Sequence, residues 1–377
     1  MSRSTLFLAT LAGFSLAISI FVLSSDYRKI PSSVSRTSAV AVSTLSVSPN
    51  STSPLTVGTT TNTVSSTTQR NHAVQKVATT SISSPPTIKA SLPTTTSNPP
   101  QNQPSDASAT ALRNALVNIL CFATAGSGLN SISGSGIIID PKGIILTNAH
   151  IGQYFLLADR GVSCIIRSGT PATDQYTAKP IYISNAWVHA NVGVLTEAEP
   201  TGTGQYDFSL LAIANSATNN PLPFSFPFVP LGSIPPDTGT PVVIASYAAQ
   251  FLDPNQIKFD LFPTVAFDSV KEVLTFNVNT IDVLDLGGSA AAQEGSSGGG
   301  VVDSTGDLVG TITTSTVEGA TATRSLNAIT ASYIRGDYAS ETGEPLDIFL
   351  AESTATSIAA FAPEIPALES VLMGPHS

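Results

Sequence analysis

Three short motifs in this chain carry the residue types of nucleophilic catalysis. His150 ends the run 147–150 (TNAH), Asp207 opens an apolar stretch, and Ser297 lies in the glycine-rich run 295–300. A serine hydroxyl is a weak nucleophile at neutral pH, but an imidazole can take its proton and a carboxylate can orient that imidazole. Each motif alone is more often structural. Together they predict acyl transfer to a serine.

Two predicted local structures would position these side chains. Residues 134–150 read as a β-hairpin with a turn at 140–143, which places His150 at the end of a strand. The glycines around Ser297 permit positive φ angles, so the amides of Gly295 and Ser297 can converge on one point, as an oxyanion hole requires.

Other residues of the same types are weaker candidates. Four aspartates compete with Asp207, but none opens a comparable apolar strand: Asp159, Asp174, Asp253 and Asp260. His189 is the rival base, and we interpret it as structural because no such hairpin precedes it. His72 and His376 lie in a polar segment and at the tail.

Taken together, the motifs resemble the chymotrypsin-type, or trypsin-like, serine protease family, and most of all its bacterial Deg/HtrA branch. That branch has a G-S-G-x-I-I…T-N-x-H hairpin and a G-N-S-G-G-P nucleophile turn, with D-x-A-[LV]-L between them. This chain departs from the pattern at three positions, with Ser296 for Asn, Gly300 for Pro and Ser209 for Ala. The resemblance covers roughly residues 120–338.

The resemblance implies an all-β fold of two six-stranded antiparallel β-barrels with a cleft between them. His150 would be the general base, Asp207 its orienting carboxylate and Ser297 the nucleophile. The oxyanion hole would be formed by Gly295, Ser296 and Ser297. No metal or cofactor is implied. The branch usually adds a PDZ domain, for which residues 339–377 are too few.

The substrate pocket of this family is lined by residues just before the nucleophile and by the strand that follows it. In this chain the corresponding residues are Ala291, Ala292, Thr313, Thr314 and Ser315. Ala291 stands where proteases that cleave after Lys or Arg carry a carboxylate, and a buried cation would lack a partner. We therefore expect a small or medium apolar residue at P1, the substrate residue before the cleaved bond.

The amino-terminal part of the chain has two segments of unusual composition. Residues 6–23 are apolar and carry no charge. They predict that the segment 1–30 is either a membrane anchor, which would span residues 5–24, or a cleaved signal peptide. Residues 31–108 hold 43 Ser, Thr or Pro residues among 78 and no aromatic residue. This composition predicts a disordered stalk. We expect the remainder to lie outside the cytoplasm, at a membrane or secreted.

Charge narrows the range of partners. The chain carries 16 Lys and Arg against 26 Asp and Glu, and residues 109–377 hold nine of the basic and 24 of the acidic residues. A strongly acidic domain argues against nucleic acid as a partner. Protein or peptide substrates are the expected partners, and the oligomeric state stays open.

The protease domain is expected over residues 109–338, with barrels at about 120–218 and 235–338. A short helix capped at Ser105 or Asp106 should carry apolar residues on one face: Leu112, Leu116, Ile119 and Leu120. A second helix is expected near 326–336, and one or two short helices in 339–377.

Cys121 and Cys164 bracket the His150 hairpin. They can pair in an oxidising compartment or remain buried thiols.

Two functions from different classes follow from these observations. The first is an active, exported serine endopeptidase. The alternative is a catalytically inactive, protease-like domain that binds proteins on a stalk, because Ser296 and Gly300 alter the nucleophile turn. An α/β-hydrolase esterase is a weaker alternative, because its Ser–Asp–His order differs from the order found here.

Overall fold

The computed structural model describes residues 44–45, 104–196, 202–276, 279–315 and 319–374, and its β-strands form two sheets. Within these ranges no helix has the length and apolar character needed to cross a membrane. The predicted membrane segment, residues 5–24, and most of the predicted stalk lie outside the described residues.

The first β unit is a closed barrel. Its strands are β1 (Thr44–Leu45), β2 (Leu116–Ala123), β3 (Ser131–Asp140), β4 (Ile144–Thr147), β5 (Val162–Ser168), β6 (Thr173–Ile183) and β7 (Ser209–Ser216). All pairings are antiparallel in the order β3-β2-β5-β6-β7-β4, and β4 pairs back to β3 to close the ring of six strands. The short β1 adds to the beginning of β3. The hairpin turn forms as predicted, since the amide of Gly143 donates to the carbonyl of Asp140 at 2.9 Å.

The second β unit is an open sheet, whereas we predicted a closed six-stranded barrel. Its strands are β8 (Pro241–Ser246), β9 (Thr264–Ser269), β10 (Glu272–Leu274), β11 (Val283–Asp285), β12 (Gly300–Val302), β13 (Leu308–Ser315) and β14 (Leu326–Thr330), in the order β10-β11-β14-β13-β12-β8-β9. The edge strands β9 and β10 are separated in sequence only by Val270 and Lys271. Covalent continuity, and not a hydrogen-bonded ladder, therefore links the two edges.

Helices precede, connect and follow the strands in the chain. They are α1 (Asp106–Ala115), α2 (Ala149–Gly152), α3 (Asn185–Ala190), α4 (Pro254–Phe259), α5 (Ala331–Thr342), α6 (Leu346–Ala351), α7 (Thr354–Phe361) and α8 (Ile365–Met373), with 3-10 turns at Gln153–Arg160, Val194–Thr196, Thr321–Thr323 and Ala362–Glu364. More helices follow residue 338 than predicted. Leu368 and Leu372 of α8 are buried, and the carbonyl of Leu372 accepts from the amide of Gly193 at 3.1 Å, so this tail packs on the first β unit.

Two predicted helices have different bounds in the structure. Ser105 caps α1, but the helix ends at Ala115, and Leu116 begins β2. β2 pairs with β3 on one side and β5 on the other, so strand pairing overrides the helical spacing of these apolar residues. In the same way, residues 326–330 form β14, and α5 starts only at Ala331.

Two long-range links fasten the first β unit. Cys121 and Cys164 lie opposite each other on β2 and β5 and form a disulfide with an S–S distance of 2.03 Å. The guanidinium of Arg167 is 1% exposed and donates to the side chain of Asn118 and to the carbonyl of Ile257, both at 3.0 Å. Because Ile257 belongs to α4, this buried side chain joins the first β unit to the segment that follows β8.

Helix α5 holds a carboxyl group with an unusual environment. Burial, together with Glu341 one turn along the helix, raises the pKa of Asp337 to about 6. Its Oδ2 has no hydrogen-bond partner among the described residues. Glu341 itself accepts from Tyr182 Oη and Ser184 Oγ, both at 2.9 Å.

Asp337 should make the protein less stable as the pH rises. A pKa that is higher in the folded than in the unfolded state favours folding at low pH, and this advantage is lost as the pH rises from about 4 to about 6. Asp337→Asn should therefore raise the unfolding temperature at pH 7 and flatten its dependence on pH. Thermal unfolding from pH 4 to pH 8 measures this, with the exposed Asp237→Asn as control. An unchanged pH dependence in Asp337→Asn would contradict the assignment.

Candidate active site

His150 and Asp207 form a buried pair. His150 lies in α2, directly after the hairpin, and Asp207 lies two residues before β7. Nδ1 of the imidazole is 2.8 Å from Oδ2 of the carboxylate, and the amide of His150 donates to Oδ1 at 3.0 Å. Both side chains are less than a tenth exposed. The two motifs that the sequence placed far apart thus meet in the interior.

A third donor to the carboxylate comes from the second β unit. Thr313 Oγ1, in β13, donates to Oδ2 of Asp207 at 2.7 Å. We predicted Thr313 as a substrate-pocket residue, but its hydroxyl is fully buried against Asp207. No local signal in residues 308–315 indicates this contact, because it depends on how the two β units pack.

Local hydrogen bonds hold the backbone around the pair. Asn148 Nδ2 donates to the carbonyl of Asp207 at 2.9 Å, and Ser209 Oγ donates to the carbonyl of Asn148 at 3.0 Å. Gln153 Nε2 donates to the carbonyl of His150 at 2.9 Å. Ser209, which replaces the alanine of the family pattern, thus joins the start of β7 to the segment that carries the histidine.

The second nitrogen of the imidazole is left available. Because a carboxylate can only accept, the contact at 2.8 Å assigns the proton to Nδ1 and leaves a lone pair on Nε2 of His150. This Nε2 is buried and has no hydrogen-bond partner among the described residues, and Ser297 Oγ makes no hydrogen bond to it. In this arrangement Nε2 of His150 can accept a proton from a donor such as a serine hydroxyl.

Ser297 lies in a tight turn that two glycines make possible. Gly295 and Gly298 have φ angles of 86° and 84°, in the left-handed region that disfavours side chains. A Cβ atom on Gly298 would lie 2.0 Å from the carbonyl oxygen of Ser135 in β3. The turn therefore packs directly on the backbone of the first β unit.

Two amides of this turn have no protein acceptor within the described residues, namely those of Gly295 and Ser297. The amide of Ser296, which we also predicted in the oxyanion hole, donates instead to the carbonyl of Gln293 at 3.2 Å. Two neighbouring free amides can donate to a developing negative charge on oxygen.

The residues that depart from the family pattern in this turn have specific neighbours. Ser296 is 1% exposed, and its hydroxyl lies 2.9 Å from that of Ser246 at the end of β8. A Cβ atom on Gly300 would lie 2.8 Å from Ile137 and from Leu308. Neighbouring side chains therefore already fill the space that the ring of the usual proline would need.

The other predicted pocket residues lie in two settings. Ala291 and Ala292 are fully buried and belong to the core of the second β unit. Thr314 and Ser315 continue β13 after Thr313.

The alternative candidates for the base and the carboxylate do not take part in the His150–Asp207 pair. His189 is exposed in α3, Asp159 and Asp260 are exposed, Asp174 pairs with Arg167, and Asp253 caps α4.

The segment that runs from the hairpin to the strand after the nucleophile turn matches a known protein family. Residues 134–310, which include His150, Asp207 and Ser297, match the family model described as a trypsin-like peptidase domain. Residues 134–310 belong to a trypsin-like peptidase domain. The predicted family and the predicted enzyme class, a serine protease, are confirmed.

The solved structures that a comparison matches to this chain include Rv3671c from M. tuberculosis. The peptidase chain shares 18% identity with an inactive serine-to-alanine mutant of that protein, over 65% of this chain and 97% of the other, with a TM-score of 0.39. The active form gives 18% identity over 68% and 96% of the two chains, with a TM-score of 0.39. A comparison with curated proteins gives no match.

The link from Thr313 to the carboxylate can be tested on the peptidase domain by a matched pair of substitutions. Thr313→Val removes a hydrogen bond to a buried charged group and should lower the free energy of unfolding by about 1.5–3 kcal/mol. Thr311→Val, on the same strand, is the control, because Thr311 is equally buried and its hydroxyl has no partner within the described residues. It should be neutral or slightly stabilising. Equal effects in denaturant titrations would refute the role of Thr313.

Proposed function

We propose that this chain is an exported serine endopeptidase that uses His150, Asp207 and Ser297 as a catalytic triad. The observation that carries the proposal is the buried His150–Asp207 pair, whose Nδ1 and Oδ2 lie 2.8 Å apart while Nε2 has no partner among the described residues. A paired carboxylate and a free imidazole lone pair are what a general base for serine needs.

The reaction proceeds through an acyl-enzyme. Ser297 Oγ attacks the carbonyl carbon of a peptide bond, and its proton passes to Nε2 of His150. The C–N bond then breaks, and the leaving amine takes this proton from Nε2. Water attacks the ester and gives its proton to His150, which returns it to Ser297 as the peptide acid departs. Asp207 keeps the imidazole in the required tautomer and stabilises the imidazolium.

The negative charge on the carbonyl oxygen would be stabilised by the amides of Gly295 and Ser297. Both amides lack a protein acceptor within the described residues, so no existing bond must break before the oxyanion forms. One such donor is worth about 10²–10³ in rate in a comparable protease.

We propose a small or medium apolar residue at P1. Ala291, the residue whose position holds the carboxylate in enzymes that cleave after Lys or Arg, is apolar and buried here. The guanidinium of Arg324 donates to the carbonyl of Ala292 at 2.8 Å and is 5% exposed. A fixed positive charge beside this wall adds repulsion to the missing partner for a basic P1 side chain.

We also propose that residues 5–24 anchor the enzyme to a membrane, with the peptidase domain outside the cytoplasm. The support is the uncharged apolar run at 6–23 and the Ser/Thr/Pro-rich composition of 31–108. Such a linker would hold the acidic domain away from the lipid surface.

An activity-based probe tests the triad. A fluorophosphonate should label the protein at Ser297, and Ser297→Ala and His150→Ala should abolish labelling. Asp207→Asn should reduce the rate strongly, since the equivalent change costs about 10⁴-fold in a comparable triad. His189→Ala is the control and should leave the rate unchanged. A folded wild-type protein that takes no label would favour the binding function instead.

A peptide library that varies only P1 tests the specificity. Peptides with Ala or Val at P1 should be cleaved at least tenfold faster, in kcat/KM, than those with Lys or Arg. Mass spectrometry of the products locates the cleaved bond. Preferred cleavage after Lys or Arg would refute the proposed pocket chemistry and leave the triad unaffected.

A further inference from the structure

Ser135 lies in β3 of the first β unit, yet its polar atoms contact the nucleophile turn. It is fully buried. Its amide donates to the carbonyl of Ser297, and its hydroxyl donates to the carbonyl of Gly295, both at 2.8 Å. The same hydroxyl accepts from the amide of Tyr247 at 2.9 Å, and the carbonyl of Ser135 accepts from Thr147 Oγ1 at 2.7 Å.

The two carbonyls that Ser135 holds belong to peptide units that are fastened at both ends. In the peptide unit after Gly295, the Gly295 carbonyl accepts from the Ser135 hydroxyl, and the Ser296 amide donates to the carbonyl of Gln293. In the peptide unit after Ser297, the Ser297 carbonyl accepts from the Ser135 amide, and the Gly298 amide donates to the carbonyl of Ile312 at 2.8 Å. Neither unit can rotate without breaking a buried hydrogen bond.

The free amides belong to the two alternate peptide units of the same turn. The carbonyl of Glu294 accepts from the amide of Ala249 at 2.8 Å, and that of Ser296 accepts from Gly299 at 2.9 Å. The amides at the other ends of these units, on Gly295 and Ser297, are the two that have no protein acceptor in the described residues. Their directions are set by the fastened units on either side.

We propose that Ser135 is a positioning residue that holds the oxyanion site in its active shape from the opposite β unit. The expected effect of Ser135 on the reaction rate rests on the proposed function. Loss of the hydroxyl in Ser135→Ala leaves the Gly295 carbonyl and the Tyr247 amide buried without this partner. The peptide unit after Gly295 is then held only through its amide, by the carbonyl of Gln293, and the direction of the adjacent Gly295 amide is less firmly fixed. Ground-state binding of substrate depends less on this direction than the transition state does.

Fluorophosphonate labelling of the full-length protein tests the proposal, with the rate measured over a range of probe concentrations. Ser135→Ala should lower the maximal rate constant tenfold or more and leave the half-saturating probe concentration within about twofold, since a lost oxyanion donor costs about 10²–10³ in rate. Ser133→Ala is the matched control on the same strand. Ser133 is also buried, and its hydroxyl accepts from Asn118 Nδ2 at 3.0 Å. This contact does not involve the nucleophile turn. It should keep the wild-type rate.

Hydrogen exchange separates this proposal from the proposed function. Ser135→Ala, but not Ser133→Ala, should speed exchange of the Ser296 amide, which bonds the carbonyl of Gln293 and belongs to the peptide unit whose carbonyl the Ser135 hydroxyl holds. If the wild-type protein takes no label while exchange behaves as expected, the catalytic proposal fails and the structural part of this one stands. If Ser135→Ala matches Ser133→Ala in both labelling and exchange, the role of Ser135 is refuted.

Discussion

The buried carboxylate of Asp207 is the constraint on which the rest of this structure depends. Moving a carboxylate out of water costs several kcal/mol unless donors replace the lost hydration. Here the donors are the amide and imidazole of His150 and the hydroxyl of Thr313. Two of them come from α2, and the third comes from β13. Only the packed pair of β units supplies the full set of donors, so the cost of burying this charge is offset only when His150 and Thr313 are both in place.

The nucleophile turn depends on the same packing. The turn that carries Ser297 lies against β3 so closely that a Cβ atom on Gly298 would meet the carbonyl of Ser135 at 2.0 Å. Arg167 and the apolar side chains around Gly300 add contacts between the first β unit and the segments of the second. The interface between the units is therefore the most closely packed part of the candidate site, with His150 and Asp207 on one side and Ser297 on the other.

Sequence patterns predicted what is encoded locally. The hairpin that ends at His150 and the glycine turn at Ser297 are short-range structures, since each depends on neighbouring residues and on glycines that permit positive φ. The bond from Thr313 to Asp207 joins residues 106 positions apart and leaves no mark in either local pattern. The same reason explains why the predicted helix does not continue through Leu116. There, the pairing of β2 with two other strands outweighs the helical spacing of the apolar residues.

The departures from the family pattern show what the nucleophile turn requires. Every carbonyl from Glu294 to Ser297 accepts a hydrogen bond from outside its own peptide unit. Most of these donors are backbone amides, so the hydrogen bonds that shape the turn do not require an asparagine side chain at 296. Ser296 then needs only a buried partner for its hydroxyl, which Ser246 provides. A pattern of side chains is thus a sign of the backbone arrangement, and it is the backbone arrangement that presents the two free amides beside Ser297.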